Sequence, residues 1–333
     1  MGRVKQAAAE HLAAVDGAAI ASPAPAAPAG RAESSGAEVS PSRRARLPSL
    51  ARFALVVILG FALSSLGQSL LALWTQNELA SIAKPTGSRN EMAVLAAWRL
   101  LGLALGWFGN YDGYDLAALA LLSHGPTTLL VSVFYGIRAL TAGAYLGVDI
   151  VSAFLPFLLL RGLSGAHSAA PGVANREIVV DRGIQLLTSL HAALVYGVAL
   201  FLASRTDGLP SFGFGTPTSQ VLSLLFGLAA RTFIFTPLVA TGRTPQDQKN
   251  ADFDPVSATL GQTVAWNLWG YTTQTKVSIR RTAVAMLFTA VGTFLNTVMT
   301  VKGVEPYGAA VYASIWVAAA LVTGLSLIYV GGI

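Results

Sequence analysis

Long runs without charge set the pattern of this chain. Residues 53–77, 116–137, 183–204, 208–230, 282–301 and 306–333 contain no Asp, Glu, Lys or Arg. At 1.5 Å of helix rise per residue, each is long enough to cross a hydrocarbon core about 30 Å thick. Water-soluble folds rarely bury so many such stretches in one domain. The pattern predicts an all-α polytopic transmembrane bundle over 49–333, with spans at about 51–75, 92–109, 115–137, 139–161, 183–204, 218–241, 282–302 and 307–330. Three of these are irregular. The second is short and carries Arg99. The third contains Ser123-His124-Gly125-Pro126, and Pro126 removes a backbone hydrogen bond, which predicts a kink or break. The third and fourth are separated only by Arg138, so a short helix at 115–123 followed by one long tilted helix at 126–160 competes with two full spans.

Composition removes the soluble alternative. Hydrophobic residues make up 53% and charged residues 11%, against about 25% charged in ordinary soluble domains. The net charge of +6 does not indicate nucleic acid, because the basic residues are spread along the edges of the apolar runs, where anionic headgroups and insertion asymmetry account for them. With eight spans and a cytosolic N-terminus, Arg43, Arg44, Arg46, Arg52, Arg161, Arg176, Arg182, Arg243, Lys249, Lys276, Arg280 and Arg281 fall on the inner side, and Lys84, Arg89, Arg138, Arg205 and Lys302 on the outer. Seven spans would destroy that bias and six would restore it, so the expected count is even, with both termini cytosolic. There is no Cys, which excludes disulfides, thiolate metal sites and cysteine nucleophiles. Residues 1–48 read as a disordered tail: 21–42 is rich in Ala, Pro, Ser and Gly and offers almost no apolar side chain to offset its ordering entropy. No secretory signal pattern precedes the first run.

Two loops are long, 162–182 and 242–281. In the second, Asp254-Pro255 reads as a helix start. Val256, Leu260, Val264 and Leu268 then recur at four-residue spacing, followed by Trp266, Trp269 and Tyr271 and by Lys276, Arg280 and Arg281. This predicts an amphipathic helix in the membrane interface, with Trp266, Trp269, Lys276, Arg280 and Arg281 as contacts to anionic lipid headgroups.

Ionisable side chains inside a span are costly and mark functional candidates. Arg99, Asp149, His191 and Arg231 fall near mid-depth. Asp149 should pair with one arginine, which leaves a cation over and favours an anionic or lipid-phosphate solute if the bundle transports anything. Gly143-x-x-x-Gly147 beside it predicts a close helix contact. Asn110-Tyr-Asp-Gly-Tyr-Asp115 is the densest polar cluster. Asp112 and Asp115 could bind a hard cation or a headgroup amine; the plainer account is a turn at Asp112-Gly113 with Asp115 starting the next helix. The Asp-Gly pair resembles the start of the CDP-alcohol phosphotransferase motif. That motif continues with Ala-Arg and further spaced aspartates, and Asp115, Leu116 and Ala117 follow here, so the reading is rejected. No phosphate-binding loop, zinc-protease or nucleophile-elbow motif is present, and no cofactor or metal is expected.

Several segments resemble a group of fungal multi-pass membrane proteins of uncharacterised function. They are Gly-Tyr-Asp at 113–115, Ser123-His124 with Pro126, Asp149 with Ser152, Pro156-Phe157 and Leu159-Leu-Arg161, Ala174-Asn-Arg176, Asn267-Leu-Trp-Gly-Tyr271, Thr275-Lys276 and Arg281-Thr282. The resemblance covers about 95–333 and implies a shared helical membrane fold without implying an activity. Two functions follow as expectations. A transporter or channel for a small anionic or lipid solute predicts Asp149, Arg231 and His191 around one aqueous cavity. A scaffold of an organelle membrane predicts a closed core with its charges paired. An enzyme ranks third. The expected partners are the bilayer, its anionic headgroups and, for an oligomer, a second copy of the chain.

Overall fold

The structure, a computed structural model, describes residues 48–84, 89–205 and 216–331, all within one unit, Arg46–Ile333. Residues 1–47 of the predicted tail and residues 206–215, which include Gly213 and Gly215, lie outside the described residues. Among those residues there are eight helices long and apolar enough to cross a membrane. They are α1 (Ser49–Trp74), α2 (Arg89–Phe108), α3 (Gly113–Phe134), α4 (Ala139–Leu160), α5 (Arg182–Ala203), α6 (Pro217–Ala240), α7 (Thr273–Thr300) and α8 (Pro306–Gly331). The chain is a helical multi-pass membrane protein.

Two of the three irregular places have local solutions. α3 runs unbroken through Pro126, and the Tyr312 hydroxyl of α8 donates to the Pro126 carbonyl at 2.6 Å. The α3–α4 connection is a true hairpin, not a continuous helix. Gly136 adopts φ +68°, a conformation glycine takes without the steric cost of a Cβ, and the Ile137 amide bonds back to the Val131 carbonyl.

α3 and α6 form the interior: 56% and 72% of their most apolar segments are buried, against 17% for α1 and α2. α3 packs on α4, α6 and α7, and α8 closes the bundle against α5 and α7. Small residues mediate the tightest seams, since lipid gives apolar side chains no drive to leave it. α7 turns Ser278, Thr282, Ala285, Thr289, Gly292 and Thr293 inward. A Cβ on Gly292 would lie 1.8 Å from Ser123 Oγ of α3, and one on Gly324 of α8 would lie 2.3 Å from Thr282 Cγ2. Gly143 and Gly147, by contrast, face open space; the expected close contact at that motif does not form. Large aliphatic side chains such as Leu70, Leu73 and Leu187 point outward.

The helix expected at the membrane interface is shorter and starts later than its sequence suggests. It spans Leu260–Trp269, and its N-cap is Thr259, which forms a capping box with Gln262. Asp254 instead accepts the Val256 amide in a tight turn. Val256, Leu260 and Leu268 are strongly exposed.

Candidate functional site

Three of the polar residues near mid-helix come together. Arg99 of α2, His124 of α3 and Asp149 of α4 each sit near the middle of their helices. The Arg99 guanidinium donates to Ser64 Oγ (2.9 Å), Ser152 Oγ (2.6 Å) and the Gly60 carbonyl (3.2 Å). Its approach to Asp149 is longer, at 3.8 Å. Asp149 also lies 3.6 Å from His124 Nδ1 and accepts from Gln68 Nε2 at 3.4 Å. Asn296 of α7 reaches the same His124 nitrogen at 3.1 Å. Asp149 therefore meets three partners, all at long range, and the side chains of Arg99, His124 and Asp149 retain 22%, 30% and 16% exposure.

That exposure is to a cavity of about 580 Å³ between α1, α2, α3, α4 and α7. Arg99, Asp149, His124, Gln68, Ser64 and Asn296 form its polar part. Phe61, Leu95, Leu119, Leu146 and Phe288 supply apolar wall. At the Trp74 end of α1, the segment carrying the short helix Glu78–Ser81 lies across it, contributing Leu79, Ile82 and Ala83. This segment is held by an isolated bridge between Ala83 and Val301. It is also held by Glu78, whose carboxylate accepts from the Arg138 amide and Nε (both 2.9 Å) and from Thr141 Oγ1 (2.5 Å). Those hydrogen bonds and the Arg138 charge keep the Glu78 carboxyl below its usual range.

A second cluster lies at the Asp112 end of α3 and does not line the cavity. Asp112 is the N-cap of α3 and Asp115 its N3 residue, each side chain accepting the other's backbone amide. Asp115 is fully buried and binds Arg281 of α7, Oδ1 to Nη1 at 2.6 Å. Arg281 thus faces the bundle interior, also lying over Tyr111 and Phe233 with ring centroids at 5.0 and 4.9 Å. This differs from the expected headgroup contact because α7 begins at Thr273, capped by Thr272, well before the uncharged run. Lys276 and Arg280 occupy the first turns of the same helix, with Arg280 exposed. Trp266 donates its indole N–H to the Asn250 carbonyl at 2.9 Å and stacks on Phe253, whereas Trp269 is 43% exposed.

Asp112 also accepts the Ser164 amide (2.9 Å) and faces His167 Nδ1 (2.7 Å). The other His167 nitrogen lies 3.1 Å from the Thr232 carbonyl. Carboxylate and carbonyl only accept, so the ring meets both as an imidazolium. Burial alone would lower the His167 pKa. The Asp112 hydrogen bond and the Asp115 and Asp112 charges outweigh it and raise it. Burial likewise opposes ionisation of Asp112, but His167 and Ser164 hold its carboxyl far below the usual range.

α6 is shaped to serve this cluster. Residues Arg231–Phe235 form a π-turn in which the Thr236 amide bonds the Arg231 carbonyl, so the Thr232 carbonyl is released to His167. Pro237 has no amide hydrogen to offer Phe233, and the Phe233 carbonyl accepts from Arg281 at 2.9 Å. Asp112, Asp115 and His167 could in geometry hold a metal, their ligand atoms lying within 4.8 Å of one another. Their charges are already balanced by the two ion pairs, and no metal site is assigned.

His191 and Arg231 line neither cluster. His191 sits in α5 with Nε2 buried and without a hydrogen-bond partner. Arg231 borders a separate groove on α5 and α6. Sequence reasoning missed His167 and Glu78 as polar anchors: both lie in connections without periodicity, and the only local signal was Ser164, three residues before His167, the spacing of a side-chain cap.

The fold and this arrangement define a helical membrane protein with a polar cavity reaching mid-helix depth and an ion-paired cluster at one end. Comparison of the chain with protein-family models, with curated proteins and with solved structures finds no match.

Proposed function

We propose that the protein is transporter- or channel-like and passes a small amphipathic solute through the α1–α4/α7 cavity. The observation that carries this reading is the polar cavity reaching Asp149; a scaffold needs only a closed, dry core. The solute's polar group would meet Arg99, Asp149 and His124, and its apolar part the leucine and phenylalanine walls. The Arg99–Asp149 pair leaves this site without net charge, so hydrogen-bonding capacity rather than net anionic charge selects the solute. Both chain ends are proposed to be cytosolic from the distribution of basic residues. The Asp112–His167 and Asp115–Arg281 pairs then lie at the cytosolic end, closed in the described arrangement, and the Glu78 segment covers the outer end.

The chain has no Cys, so a single Ala120→Cys substitution in the cavity wall gives a clean test in proteoliposomes. Water-soluble maleimide should label it, while Ala229→Cys in the α6 interior, 3% exposed, should stay unlabelled. Equal protection of both would remove the aqueous cavity and the transport reading with it. In the same vesicles, Asp149→Asn should change the leak of an entrapped small dye relative to wild type.

A further inference from the structure

Arg231 is the intramembrane cation that neither cluster uses. Among the described residues it makes no ion pair. Among the described residues its guanidinium makes one hydrogen bond, from Nη2 to the neighbouring Thr232 Oγ1 at 3.3 Å, and its Nε is buried without a partner. It opens the π-turn of α6, a distortion that often marks functional positions because it re-aims a side chain.

Arg231 faces a groove of about 350 Å³ along α5 and α6. The polar part of its lining is Arg182, Gln185, Ser189 and Arg231, with no acidic residue; the rest is Leu186, Leu190, Leu224 and Leu228. Gly227 seats the two helices together, since a Cβ there would fall 2.3 Å from the Ser189 carbonyl. One turn on, Arg231 returns toward the end where Arg182 begins α5. Gln185 and Ser189 already donate to the Val179 and Gln185 carbonyls (both 2.7 Å). The nearest carboxylate in sequence, Asp181, accepts the Ile184 amide as the α5 cap. The four leucines are 45–62% exposed on the outside of the bundle, where a bilayer presents acyl chains.

We propose that this groove binds an anionic phospholipid. Arg231 and Arg182 hold the charged headgroup, and the exposed leucines lie against its acyl chains. Two guanidinium groups that make no ion pair among the described residues supply the charge complementarity, and the position on the lipid-facing surface supplies the occupant. Under the proposed orientation the groove opens to the cytosolic leaflet, which carries the anionic lipids.

Native mass spectrometry of the full-length protein in detergent tests this, with phosphatidylserine and phosphatidylcholine of matched chains as probes. Wild type should retain phosphatidylserine preferentially. Arg231→Gln should weaken that retention about fivefold, as one arginine at a charged membrane surface implies, and Arg182→Gln by a similar factor. Arg89→Gln, which removes an exposed arginine at the start of α2 outside the groove, should leave retention unchanged. Equal retention of the two lipids by wild type, or equal losses in the Arg231 and Arg89 variants, would overturn the assignment. Displacement of phosphatidylserine by inorganic phosphate would overturn it in favour of a free-anion site. Should Arg231→Gln fail to fold, Arg182→Gln carries the test, since Arg182 is exposed at the helix start.

Discussion

The Asp112 end of the bundle and its middle use the same residue types for different ends. At the Asp112 end, Asp115–Arg281 and Asp112–His167 close at 2.6 and 2.7 Å, with no side chain above 13% exposure, and none of the four lines the cavity. In the middle, Asp149 stands 3.8 Å from Arg99 and 3.6 Å from His124, beside about 580 Å³ of open space. A buried ion needs a close partner to offset its lost hydration; one facing a wet cavity does not, and keeps its hydrogen-bonding capacity for another molecule. The first cluster joins α3, α6, α7 and the 162–181 connection. The second leaves polar groups where a solute could reach them.

The contrast can be broken most forcefully at Asp115. Asp115→Asn strands a buried guanidinium and should cost about 3–5 kcal/mol, seen as a large fall in thermal unfolding temperature in detergent. A change below about 1 kcal/mol would show that Asp115–Arg281 is no lock. His167→Gln should cost less, about 1–3 kcal/mol for an unsatisfied buried group, and it should remove a pH dependence.

The signs are opposite for the two partners. The raised pKa of His167 makes its contribution complete below its ordinary value of 6.5 and lost as pH rises through the raised value. The depressed pKa of Asp112 makes its contribution present above 3.8 and lost as pH falls toward the depressed value. Unfolding temperature should therefore peak between about 3.8 and 6.5 for this pair, and the alkaline decline should flatten in His167→Gln.

Asp149→Asn should cost no more than about 1 kcal/mol, since its contacts are long and partly exposed, while changing solute leak. A loss as large as that of Asp115→Asn would place both clusters in the same structural role. The smallest effect is expected at Glu78. Glu78→Gln frees the segment across the cavity, so maleimide labelling at Ala120→Cys should speed up with the unfolding temperature unchanged.

Much of the fold was legible in the chain. Runs lacking charge mark spans because an unpaired ion is expensive in hydrocarbon, and that cost is a property of each segment alone. The α3–α4 hairpin was less legible, because Pro126 and the single Arg138 left two readings that Gly136 and the Tyr312 contact decide. Arg281 directly precedes the uncharged run, a position that resembles a headgroup contact, and the early start of α7 turns it inward onto Asp115. Arg99 and Arg231 look alike in sequence, each a lone arginine in an apolar segment. One meets Asp149 across the cavity and the other faces the outside of the bundle.

The amino-acid sequence by itself determined that this is a bundle of membrane-spanning helices and approximately where each begins and ends, since burial in lipid depends on local hydropathy and helix rise. Tertiary structure alone decided which charge meets which. Asp115 and Arg281 are 166 positions apart, and Asp112 and His167 are 55 apart. Such partners are chosen by how each helix is rotated and what packs beside it, which no single segment encodes.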